Sequence, residues 1–99
     1  MQTLSFQFSA GQPALGRALV GCVGSGDLEV MLEPGTSGTL AIEVVTSVNG
    51  SDERWQQLFQ RMFSEQQMPA LNISIHDFGA TPGVVRLRLE QAMEALADD

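Results

Sequence analysis

The chain has 99 residues, 43% of them hydrophobic and 17% charged, which excludes a disordered polypeptide and suits one domain near the common size of roughly 100–150 residues. Twelve acidic residues against five arginines and no lysine give a net charge of −7. That balance argues against binding to nucleic-acid phosphates or to an anionic membrane surface, both of which need clustered Lys and Arg.

The one cysteine cannot make an internal bridge, so nothing points to an oxidising compartment. No apolar run approaches the roughly 20 residues of a membrane span, and the N-terminus carries no charged-then-apolar signal, so the expected location is the cytoplasm. An acidic domain of this kind suits encounter with basic patches on other proteins, or simply stays soluble.

In chain order, Leu4, Phe6 and Phe8 alternate with Ser5 and Gln7, which predicts a half-buried strand over 4–8. Gly11, Pro13 and Gly16 punctuate a connecting loop. A second strand is predicted over 17–23 and a third over 28–32, where Leu28, Val30 and Leu32 face one way and Glu29, Met31 and Glu33 the other. Between them Gly24-Ser25-Gly26-Asp27 is a dense turn signal that puts Ser25 at or beside a hairpin tip. Extending the alternation places Asp27 with Glu29, away from Leu28 and Val30.

After Pro34, Gly35 and Gly38, residues 39–48 read as the longest strand, closed by Asn49-Gly50. The period then changes: Trp55, Leu58, Phe59, Met62 and Phe63 form the stripe of an amphipathic helix, with Ser51 as N-cap, Asp52 and Glu53 at its positive end, and Pro69 as its stop. Leu71, Ile73 and Ile75 alternate with Asn72, Ser74 and His76 as a last strand. Thr81-Pro82 then caps a second helix, which presents Val85, Leu89, Ala92, Met93 and Leu96 on one face. The residues before Leu89 also alternate like a strand, but the cap and the helix-forming stretch from Glu90 favour helix. The expected class is α+β, a mainly antiparallel sheet with two helices packed on one face, in the order β-β-β-β-α-β-α, within a single domain over 1–99.

The supply of catalytic groups is thin. His76 and Asp77 are adjacent on a strand, so their side chains point to opposite faces and no catalytic pair forms. One His and one Cys cannot build a zinc site, and Cys22 among Val20 and Val23 reads as a small buried hydrophobe. The 21–26 stretch lacks the lysine of a phosphate loop and no helix follows it. No residue is assigned a catalytic role and no metal is expected. What remains is Ser25, a hydroxyl between two glycines, open to another enzyme that could join a group to it. Gly-Ser-Gly by itself is also ordinary turn chemistry.

The stretch from Gly21 to Val30, with Gly24-Ser25-Gly26-Asp27 at its centre, resembles the prosthetic-group segment of the malonate decarboxylase acyl carrier (delta subunit) family. The resemblance continues through Val44–Gly50, Trp55–Phe59 and Ala70–Glu90, essentially the whole chain; a more distant likeness in Ser25-Gly26-Asp27 is to the acyl carrier subunit of citrate lyase. It implies a non-catalytic carrier domain in which Ser25 holds 2'-(5''-phosphoribosyl)-3'-dephospho-CoA in phosphodiester linkage, with Gly24, Gly26 and Asp27 as motif context. It further implies acetyl and malonyl thioesters carried between acyl transferase and decarboxylase subunits in malonate catabolism. The implied partners also include a prosthetic-group transferase and a malonyl acyltransferase. Helical carriers have their serine in Asp-Ser-Leu at a helix start, so Gly-Ser-Gly between strands implies a dedicated attaching enzyme. Asp27 and Glu29 would be the acidic residues nearest the arm to meet basic partners. The alternatives are an acidic protein-interaction module with no covalent arm and a small enzyme using Cys22 or His76, against which the missing base, metal and orienting partners speak.

Overall fold

The computed structural model describes residues 1–21, 26–64 and 67–97. Five strands and two helices follow in the order β1 (Gln2–Ser9), β2 (Ala18–Gly21), β3 (Leu28–Pro34), β4 (Thr39–Thr46), α1 (Asp52–Phe63), β5 (Leu71–Asp77) and α2 (Pro82–Ala97). The strands form one sheet in the order β1-β4-β5-β3-β2. β1 with β4, β2 with β3, and β3 with β5 pair antiparallel; β4 and β5 pair parallel, because α1 carries the chain back across one face between them.

The alternation of each strand becomes a row of core residues across the sheet. Phe6 pairs with Ile42, Ile42 with Ile73, Ile73 with Leu32 and Leu32 with Ala18. One step along, Leu4, Val44, Ile75, Val30 and Val20 make the next row. Both helices cover this face. Leu28, Val30, Leu32, Leu40, Val44 and Ile75 are wholly enclosed together with Phe59 of α1 and Leu89 of α2. The opposite face carries Ser5, Gln7, Glu43, Asn72 and His76 to solvent.

Aromatic contacts seat α1 over β1. Phe59 meets Phe6 edge-on at 5.2 Å between ring centres, Phe63 meets Phe8 at 6.1 Å, and Trp55 lies 5.6 Å from Phe59. Such pairs add roughly 0.5–1.5 kcal/mol each beyond the area they bury. Leu58, expected in the stripe, is only half-buried.

Several boundaries differ from the sequence reading. β4 stops at Thr46, not Val48, because the Thr46 hydroxyl accepts the amide of Val48 (3.0 Å) and turns the chain out of the ladder. Ser51 does not cap α1 with its side chain: its hydroxyl donates back to the carbonyl of Val48 (3.3 Å). Thr81 does cap α2, its Oγ1 accepting the amide of Val84 at 3.3 Å. The alternating stretch before Leu89 is helical from Pro82, with Val85, Leu89 and Ala92 buried and Met93 and Leu96 half-buried. β2 is described only to Gly21, so Cys22 and Val23 lie outside the described residues.

Candidate functional site

β2 and β3 form the hairpin expected around Ser25, with Gly21 opposite Glu29 at its root. Gly21 has φ +108°, and a Cβ there would run into the backbone carbonyl of Leu28. Only glycine therefore closes this root. Residues 22–25 lie outside the described residues, and with them Ser25, Gly24 and Cys22. The description resumes at Gly26, exposed, with φ +78°, where among the described residues none beyond its chain neighbours comes within 4 Å of a Cβ built there.

From Gly26 onward the chain is held on two sides. The Gly26 amide donates to the carbonyl of Phe78 (2.8 Å) and the Phe78 amide donates to the carbonyl of Asp27 (2.9 Å), which carries the β3–β5 ladder past the strand ends. The other side is α2. Arg88 donates through Nε to Asp27 Oδ1 (3.1 Å) and through Nη2 to Oδ2 (2.8 Å), a two-pronged match of guanidinium and carboxylate. Asp27 Oδ1 also accepts the amide of Leu28 at 2.7 Å. The Arg88 hydrogen bonds first, and the Leu28 amide second, hold the Asp27 carboxyl below its ordinary range.

This arrangement corrects the expected placement of Asp27. Strand alternation would have set it beside Glu29 on the open face, but Asp27 precedes β3, so the pleat does not bind it. Its carboxylate instead turns to Arg88, on the helix covering the other face, and the two side chains keep only 23% and 24% exposure.

The residues facing Gly26 and Asp27 are themselves fixed. Asp77, only 4% exposed, accepts the Thr46 hydroxyl at Oδ2 (2.8 Å) and the Ala80 amide at Oδ1 (2.9 Å). These bonds shape the turn that holds Phe78 in place. His76 is exposed on the open face opposite Glu29, while Asp77 is buried on the helix side, so the adjacent pair diverges as the alternation predicts. Among the described residues no three His, Cys, Asp or Glu side chains gather as a metal site, and no described helix is long and apolar enough to cross a membrane.

Sequence reasoning missed Arg88. One signal existed: Arg88 falls within the apolar stripe of α2, three residues after Val85 and one before Leu89, where a charge needs a partner. The partner is 61 positions away and only the fold reveals it.

Fold and site together give a sheet-and-helix body that anchors the connection between Gly21 and Gly26 from the strand and the helix side. A sequence model of the malonate decarboxylase delta subunit family matches residues 16–96. The chain belongs to that family of acyl carrier proteins. It is 75% identical over all 99 residues, and over the whole of both chains, to the malonate decarboxylase acyl carrier protein of Stutzerimonas stutzeri (strain A1501). It is 74% identical, again over the whole of both, to the protein of the same name from Pseudomonas fluorescens (strain SBW25). Its fold matches a chain in the crystal structure of a Pseudomonas malonate decarboxylase hetero-tetramer in complex with malonate, with TM-score 0.95 and 72% identity, covering 97% of this chain and 99% of that one.

Proposed function

We propose that this chain carries acyl groups for a malonate decarboxylase on a phosphoribosyl-dephospho-CoA arm joined to Ser25 by a phosphodiester. The observation that carries the reading is the 75% identity, end to end, with an acyl carrier protein of that enzyme. The Ser25-Gly26-Asp27 context fits a group joined there by another enzyme, and among the described residues none beyond its chain neighbours crowds Gly26.

When bound, the arm supplies a thiol whose thioester with malonate gives the electrons freed by loss of carbon dioxide a carbonyl to enter. This chain's own residues do different work. The Ser25 hydroxyl oxygen would hold the phosphate of the arm. Gly26 leaves the approach free of side-chain bulk. Asp27, Arg88 and the Phe78 backbone fix the chain that follows it. The body thereby turns a free acyl group into a tethered one at high effective concentration.

Chemistry falls to partners: a transferase that exchanges acetyl for malonyl, a decarboxylase that regenerates the acetyl carrier, a malonyl acyltransferase that loads it, and a separate enzyme that attaches the arm. The cytoplasm is the compartment this cycle implies. The test is intact mass and peptide mapping of protein purified from its native host. A nucleotide-sized adduct on the peptide containing Ser25, absent from Ser25→Ala, is the expected result. An unmodified native protein would instead favour an acidic interaction module without an arm.

A further inference from the structure

We propose that Arg88 and Asp27 are positioning residues for the attachment serine: their two-pronged pair ties the chain just after Ser25 to the middle of α2. The proposal rests on the proposed function for what it positions, but the tie itself stands on this structure's geometry. Asp27 is two residues beyond Ser25 and bonds three donors at once: Arg88 Nε (3.1 Å), Arg88 Nη2 (2.8 Å) and the Leu28 amide (2.7 Å). Arg88 extends from a helix locked to the sheet by Val85, Leu89 and Ala92, and its Nη1 also donates to Gln91 Oε1 at 3.1 Å.

Among the described residues, the pair adds to the backbone bonds Gly26 to Phe78 and Phe78 to Asp27 that hold this segment beyond the regular ladder. Gly26 is glycine at positive φ, and no side chain of its own restrains it. Backbone bonds at the exposed end of a ladder open readily. The ion pair closes that gap from the helix side. A carrier with a loosened loop root presents its serine in the productive arrangement only part of the time, and its apparent affinity for the attaching enzyme falls by that fraction.

The test compares full-length apo-protein of the wild type, Arg88→Ala, Arg88→Lys, Asp27→Asn and the Arg88→Ala/Asp27→Asn double variant. Each is incubated with the attaching enzyme and a phosphate-activated precursor of the arm. The Ser25 oxygen bonds to the phosphorus that stays on the arm, the P–O bond to the activating phosphate breaks and that phosphate leaves, the hydroxyl proton passes to the enzyme, and the adduct is followed by intact mass. The expected result for Arg88→Ala and Asp27→Asn is a KM for the carrier raised about five- to tenfold with kcat changed less than about twofold, as a lowered competent fraction requires. Arg88→Lys keeps the charge but not the fork and is expected between them and the wild type. In the Arg88→Ala background, Asp27→Asn should add less than it does in the wild type, because the pair they share is already broken.

Amide hydrogen exchange gives a readout that needs no arm. Protection at Gly26 and Phe78 should fall about tenfold in Arg88→Ala while the central β3–β5 amides keep theirs, the pattern of local rather than global opening. Equal loading kinetics and equal exchange in wild type and Arg88→Ala would overturn the positioning role alone. Failure of the wild type itself to accept the arm at Ser25 would overturn the proposed function, and the positioning role with it. Exchange that rises throughout the sheet would show that Arg88 supports the fold generally, which also overturns the proposal.

Discussion

Asp27 owes its behaviour to three donors that converge on one carboxylate, and this makes its contribution dependent on pH. Its folded-state carboxyl titrates below the ordinary range, first through the Arg88 hydrogen bonds and then through the Leu28 amide. A lowered carboxyl pKa favours folding above the ordinary carboxylate range, and that contribution disappears as pH falls through the lowered value. Wild-type protein should therefore be more stable than Asp27→Asn near neutral pH, and the difference should shrink as pH falls through the ordinary carboxylate range and below it. Urea unfolding of both proteins across that range checks it; a difference independent of pH would mean that the carboxylate charge plays no part. At the same scale, and on the proposed function, Ser25→Ala should change stability by under about 0.5 kcal/mol, the usual size for a change in a glycine-flanked turn sequence, and accept no arm. Thermal unfolding beside intact mass checks both halves.

At the scale of elements, α1 shows which apolar position carries the packing. Phe59 is wholly enclosed and lies against Phe6, Trp55 and Phe63, whereas Leu58, one residue earlier, is half-buried. Phe59→Ala should cost about 3–5 kcal/mol, the usual range for removing a core aromatic. Leu58→Ala should cost less than about 2 kcal/mol, below the range for a fully buried leucine. Denaturant unfolding of the two variants checks the order, and a larger loss at Leu58 would mean that the helix sits rotated on the sheet. The stripe was legible because the 3.6-residue period marks a face; which member lies at its centre depends on where β1 presents Phe6 and Phe8.

For the molecule as a whole, a net charge of −7 without a lysine sets how it meets partners. Asp27 is engaged by Arg88 and is poorly placed to steer, which leaves acids such as Glu29 and Glu43 on the open sheet face. Association with the isolated partner subunits should slow as salt shortens the Debye length from about 10 Å at 0.1 M to about 3 Å at 1 M. Glu29→Gln should lower the on-rate at low salt and leave it unchanged at high salt. Stopped-flow measurements across that range check it; an on-rate indifferent to salt would assign the acidity to solubility alone.

The sequence by itself determined the inventory: five alternating segments, two helices with their faces, and a lone hydroxyl between glycines. Each of these depends on neighbours within a few positions, where the periods of 2 and 3.6 residues act directly. Only the tertiary structure decided that β5 enters the centre of the sheet parallel to β4, because alternation assigns a strand's face but not its neighbours. It alone also decided that Asp27 turns from the open face to Arg88. That pairing joins residues 61 positions apart, and it exists because α2 folds back over β3 and brings a guanidinium to the carboxylate that follows the serine.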